Sequence, residues 1–149
     1  MAVGMLSSLF SDALTCEIPM RLPGLNEYTR ANRGNKYHAA KMKQDAEAGI
    51  GLFVNRLPKI DKPVIIWFEW VEKDNRRDYD NIDFAKKFIL DALVRCGKLK
   101  DDNRRFVKGS VGTVSTGPDY KVILHIKEVG WHHNESSQSR IYQRLRLDG

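Results

Sequence analysis

Val64-Ile65-Ile66-Trp67-Phe68-Glu69-Trp70-Val71 is a β-branched and aromatic run interrupted by one acid. That composition predicts a strand, and its lack of polar alternation places it at the centre of a sheet, covered on both faces. Upstream, Ala39, Met42, Ala46, Ile50, Phe53 and Leu57 recur at spacings of three and four. This is the apolar stripe of one amphipathic helix over roughly 36–56, closed by Pro58 and Pro63. Downstream, Ile82, Ala85, Ile89, Ala92, Leu93 and Cys96 predict a second helix over roughly 81–96, ended by Gly97 at its C′ position. Leu14-Thr15-Cys16-Glu17-Ile18 alternates as a half-buried strand does. Residues 104–115 and 119–129 read as two further strands, joined as a hairpin through Thr116-Gly117-Pro118-Asp119. Together these predict an α/β (α+β) domain: a mixed sheet of about four strands with two main helices on one face.

The chain has 149 residues, enough for one core and too few for separate cofactor and substrate domains. A hydrophobic share of 42% and a charged share of 30% describe a soluble globular chain, not a disordered one. The net charge of +6 suits a polyanionic partner, although many basic domains of this size bind no nucleic acid. Cys16 and Cys96 belong to no C-x-x-C pair, so neither a disulfide framework nor a zinc site is expected. No apolar run approaches the ~18–20 residues of a membrane span. The N-terminus lacks the basic region of a signal peptide, which makes the cytoplasm the simplest address. Residues 1–13 allow a short helix or a loose tail. From Trp131 the chain is polar and aperiodic, so 131–149 reads as a flexible tail, with His132 and His133 unstructured within it.

Between Arg21 and Lys43 stand Arg21, Arg30, Arg33, Lys36, Lys41 and Lys43 against a single acid, Glu27. Tyr28 and Tyr37 sit among them. Cations interleaved with aromatics suit a phosphate backbone and unstacked bases. A solvated loop leading into a basic helix accounts for the same residues equally well.

The chemistry-bearing segment runs Arg76-Arg77-Asp78-Tyr79-Asp80-Asn81, then Asp91-Ala92-Leu93, then Asp101-Asp102. In an extended segment Asp78 and Asp80 point the same way, making an oxygen cradle for Mg²⁺ or Mn²⁺. Without a cation, two carboxylates about 4 Å apart repel by on the order of 4 kcal/mol at an effective dielectric near 20. The plainer reading is an N-cap at Asp80 with solvated charges around it, and both roles can hold together. The segment is not an EF-hand, because the sixth position from Asp78 is Asp83 rather than glycine and the twelfth is Ile89 rather than glutamate. No P-loop, G-x-S-x-G or H-E-x-x-H motif occurs. At about 100° per residue, Asp80, Asp83, Lys87 and Asp91 share one charged helix face. Lys87 could there stabilise the charge of a phosphoryl transition state, or simply pair with Asp83 or Asp91.

These residues resemble the RusA family of Holliday-junction resolvases. The shared pattern is a basic residue before Asp-x-Asp-Asn, a helix with a lysine and Asp-Ala-Leu, a glycine, then Asp-Asp. Here it stands as Arg77-Asp78-Tyr79-Asp80-Asn81, Lys87, Asp91-Ala92-Leu93, Gly97 and Asp101-Asp102, preceded by a Pro-x-x-Asn loop at Pro23–Asn26. The likeness covers roughly 14–128, and the helix between Asp80 and Asp91 is about one turn longer than the family pattern. The resemblance implies one nuclease domain over 1–130, with 1–13 as an extension. It implies a homodimer that resolves four-way DNA junctions by symmetric strand cleavage in recombination and repair. Asp78, Asp80 and Asp102 would hold Mg²⁺ or Mn²⁺, and Lys87, or else Lys86, would be the catalytic lysine. Arg77, Asn81, Asn26, Arg30, Arg33, Lys36, Lys41 and Lys43 would contact DNA. A nuclease acting on other branched DNA or RNA, or a non-catalytic junction-binding protein, is the alternative.

Overall fold

The computed structural model describes residues 2–130; the tail over 131–149, with His132 and His133, lies outside the described residues. The chain forms α1 (Ala2–Leu9), β1 (Leu14–Ile18), α2 (Leu25–Gly34), α3 (Lys36–Val54) and β2 (Val64–Glu72). It continues through α4 (Tyr79–Asp83), α5 (Lys86–Arg95), β3 (Val107–Thr116) and β4 (Lys121–Glu128). The strands make one mixed sheet in the order β1-β4-β2-β3, with β2 and β3 parallel and the other pairs antiparallel. The class is α+β. No helix among the described residues is long and apolar enough to cross a membrane.

β2 is central and doubly covered, as its composition requires. Val64, Ile66, Phe68 and Trp70 face the main core, with Ala46, Ile50 and Val54 of α3 and Phe88, Ile89, Ala92 and Leu93 of α5. Ile65 and Trp67 face the other way and are covered by Leu6, Phe10 and Val129. The N-terminal extension therefore contributes a packed helix over Ala2–Leu9. Because α1 covers that face, the apolar surplus of β2 is absorbed within one chain and not left over for a second copy.

Two expectations fail. β3 and β4 do not form a hairpin, because β2 lies between them and pairs with both. The 116–119 connection instead crosses the end of β2, where Gly117 N donates to Glu72 O at 2.8 Å. A Cβ at Gly117 would stand 2.7 Å from Val71 Cγ1, so glycine is what lets the crossing lie this close. Composition decided the outcome: the most apolar strand takes the centre, and β3, with alternate residues exposed, takes an edge. The second helix is also not continuous. It begins at Tyr79 and breaks at Phe84–Ala85 into α4 and α5, with tighter i→i−3 bonds Ala85 N→Ile82 O and Lys87 N→Phe84 O, both at 3.2 Å.

The end of α5 follows the expected pattern. Gly97 has φ +72°, Gly97 N donates to Val94 O at 3.0 Å, and Lys98 N donates to Leu93 O at 2.8 Å. This pair of bonds is the Schellman motif, which needs a left-handed residue where glycine stands.

Candidate functional site

The loop after β1 and the start of α4 are clamped together. Arg77 grips the buried Glu72 in a two-pronged pair, Nε to Oε1 at 2.8 Å and Nη2 to Oε2 at 2.9 Å. Its Nη1 also donates to Leu22 O at 3.0 Å and stands 3.7 Å from Glu27 Oε1. Arg21 lies 2.6 Å from that same oxygen, and its hydrogen bond holds the Glu27 carboxyl below its ordinary pKa. Asn81 Oδ1 accepts from Asn26 N at 2.9 Å. Arg77, Asn81 and Asn26, named above as DNA contacts, thus join the two motif-bearing loops to each other. Gly24 allows this approach, since a Cβ there would collide with the Asn81 side-chain amide.

Asp78 and Asp80 are both exposed. Asp78 is the N-cap residue of α4, extended at φ −75° and ψ 159°, and Asp80 already lies in the first helical turn. The cap expected at Asp80 instead lies two residues earlier, at Asp78, and Asp78 makes no side-chain capping bond. With the helix beginning at Tyr79, strand-like alternation no longer aims these two carboxylates in one direction.

Asp83 departs furthest from its expected place on a solvated face. It is buried: Oδ1 accepts from Trp70 Nε1 at 2.9 Å and Oδ2 from Lys86 Nζ at 2.9 Å. The Tyr79 hydroxyl lies alongside, its pKa raised by burial and then by the Asp83 charge. Gly112 of β3 faces this cluster, and a Cβ there would overlap Asp83 Oδ1. Lys86 is thereby committed to Asp83, whereas Lys87 is exposed and makes no ion pair with either Asp83 or Asp91.

A second group of charges lies between α3, α5 and the loop before β3. Lys43, Glu47, Asp91, Val94, Arg95 and Asp102 line an open recess of about 360 Å³. Lys43 and Asp91 also line a smaller neighbouring recess of about 120 Å³ with Tyr28, Phe84, Lys87 and Phe88. Lys43 Nζ stands 3.3 Å from Asp91 Oδ2. The Asp102 pKa is raised, first by loss of solvent and then by its hydrogen bond with the Asp101 side chain and the charge of Asp91. The fold thus brings Asp102, Lys87 and Lys43 together around Asp91, and the carboxylates that bear on Asp102 are Asp91 and Asp101. As the side chains lie, no three His, Cys, Asp or Glu among the described residues are grouped to hold a metal ion.

Of the remaining basic residues, Arg30, Arg33, Lys36 and Lys41 are exposed along α2 and the start of α3, Lys41 within 3.4 Å of Asp45. Tyr37 is 86% exposed between them, while Tyr28 packs inward against Phe84 and Phe88. Sequence reasoning missed Glu47 and placed Asp83 on the solvated face when it is buried. Glu47 follows the apolar stripe residue Ala46, and that placement on the inner side of α3 was the available signal. The sequence matches no protein-family model and no curated protein.

Proposed function

We propose that the protein is a metal-dependent endonuclease acting on branched DNA, resolving four-way junctions as a homodimer in the manner of the RusA family. The observation that carries this reading is the meeting of Asp102 and Lys87 on the Lys43–Asp91 pair, from segments separate in sequence. Phosphodiester hydrolysis needs carboxylates to hold or activate the water side of the reaction and cations to hold the phosphate. Here both kinds of group share one open surface. The exposed cations Arg30, Arg33 and Lys36 supply a route for a polyanionic backbone toward it.

Within this reading Lys87, exposed and paired with neither Asp83 nor Asp91, holds developing negative charge on the phosphate. Lys43 orients Asp91. Mg²⁺ or Mn²⁺, when bound, supplies a Lewis acid and a more acidic water. The two-fold symmetry of a four-way junction matches a symmetric dimer that places one such surface on each of two opposed strands. A cytoplasmic address belongs to the same reading. A non-catalytic junction-binding protein is the alternative from a different class, and the acids speak against it, since carboxylates beside phosphates weaken plain binding.

The deciding experiment incubates labelled four-way junction, fork and linear duplex with the protein, with Mg²⁺ and with EDTA. Symmetric nicks in the junction, absent with EDTA, are expected. Equal cutting of duplex removes the junction specificity, and binding without cutting in either condition favours the non-catalytic alternative.

A further inference from the structure

Tyr28 and Tyr37 stand in the same basic stretch of sequence, and the fold gives them opposite fates. Tyr28 packs on Phe84 and Phe88. Tyr37 is 86% exposed, more than any other large hydrophobic side chain among the described residues. A single exposed ring on a surface is ordinary. Tyr37 differs in its surroundings.

It stands at the corner where α2 gives way to α3. Asn35 is extended there at φ −162°, and its Oδ1 accepts from Tyr37 N at 2.8 Å, which fixes the backbone that carries the ring. Exposed Arg30 and Arg33 approach the corner from α2, and exposed Lys36 and Lys41 from α3. Among the described residues only Lys41 of these four has an ion-pair partner, Asp45 at 3.4 Å. At about 100° per residue, Tyr37, Lys41, His38 and Met42 follow one another round α3, from open solvent toward α2. Lys41, His38 and Met42 line a recess of about 370 Å³ with Met20 and Pro23. His38 and Met42 also line a neighbouring recess of about 340 Å³ with Arg30, Ala31 and Gly34. The acids on these two walls, Asp45 and Glu27, are held by Lys41 and Arg21.

We propose that this corner binds an unpaired DNA strand, with the Tyr37 ring stacked on one base and Arg30, Arg33, Lys36 and Lys41 on the phosphates around it. Cations alone hold duplex and single strand alike. The ring selects between them, because stacking needs a base whose face is free, and a paired base inside a duplex has none to offer. The recesses beside His38 and Met42 give the adjoining base or sugar an apolar surface on which to leave water. The inference rests on the nuclease reading for its purpose, and it narrows the substrate to branched DNA with unpaired nucleotides beside the branch.

Fluorescence anisotropy of a labelled oligothymidylate of about 12 nucleotides, with the full chain in EDTA, tests the corner. The wild-type chain should bind it more tightly than a duplex of the same length. Tyr37→Ala and Tyr37→Leu should each weaken binding by about fivefold or more, and Tyr37→Phe should retain it. Arg33→Ala and Lys36→Ala should each lower the slope of log affinity against log salt by about 0.7, whereas Tyr37→Ala should leave that slope unchanged. The melting temperature of Tyr37→Ala should match the wild type, since the ring is packed on nothing that the fold needs. Wild-type affinity in Tyr37→Ala, or a duplex bound as tightly as the single strand, overturns the inference and leaves the nuclease reading standing. Tighter binding of an oligouridylate of the same length overturns the choice of DNA. A strand held through Tyr37 by a protein that cuts no junction supports the corner and removes the nuclease. A chain that cuts junctions but binds no oligothymidylate overturns the corner alone.

Discussion

Trp70 donates its indole N–H to the buried carboxylate of Asp83 at 2.9 Å, tying the central strand to the break between α4 and α5. The bond and the Lys86 pair on the other oxygen turn Asp83 inward, away from the solvated face that helical phase assigns to it. They also fix which of the two adjacent lysines stays free.

Asp83→Ala should cost about 2–3 kcal/mol, because it strands a buried indole donor and removes the partner of Lys86. In a domain of this size that lowers Tm by roughly 5–10 °C. Thermal and urea melts check it, and a change within about 0.5 kcal/mol, typical of a surface site, contradicts the assigned role.

Arg77→Ala should destabilise by about 3 kcal/mol or more, since it leaves the buried Glu72 carboxylate without its cation. Arg77→Lys should recover part of this loss but not the two-pronged geometry. If Arg77→Ala instead melts like the wild type and loses only DNA affinity, its cation serves phosphate and not the fold.

Asp102→Asn should abolish junction cleavage while binding stays intact or tightens, because a carboxylate without metal repels the phosphate. Lys87→Ala should slow cleavage and leave Mn²⁺ binding unchanged. Under the proposed reading Asp78→Asn and Asp80→Asn should lower cleavage as well. Single-turnover rates and gel-shift affinities on the four variants decide, and wild-type cutting by Asp102→Asn removes it from the reaction.

The raised Asp102 pKa also sets a pH signature. Its contribution to stability is fully present below the unfolded value and is lost as pH rises through the higher folded one. The charged form therefore works against the fold at neutral pH. Asp102→Asn should raise the metal-free Tm at neutral pH, and the gain should vanish on acidification below the carboxylate range. A gain that persists there would point to a cause other than charge.

Light scattering at micromolar concentration should give twice the 17.1 kDa chain mass. The apolar strand that suggests a partner in sequence is already covered by Leu6 and Phe10. A dimer must use other surface, such as the α3 side that carries the 72%-exposed Leu52. Leu52→Glu, if it leaves a stable monomer, would place the interface on α3. A monomeric wild-type chain removes the symmetric-cleavage part of the functional reading.

The sequence by itself determined the elements whose burial is a matter of local period. The run 64–71 could only be a central strand, the three-and-four spacing from Ala39 to Leu57 gave α3 to within two residues at its end, and Gly97 marked the stop of α5. It also singled out Asp78, Asp80, Lys87 and Asp102 as candidate site residues. Only the tertiary structure decided which strands pair, because an alternating strand reads the same beside β2 as beside β4. It alone showed that Asp83 turns into the core, since a helix face is charged or apolar only relative to what packs on it, and Trp70 supplies a donor there. The company of Glu47 was equally invisible: it shares a recess with Asp102 through the packing of α3 against α5, across tens of residues where no short-range spacing carries information. Periodicity reports which side of an element leaves water. The partner a charge finds there depends on contacts that form only when distant elements close on one another.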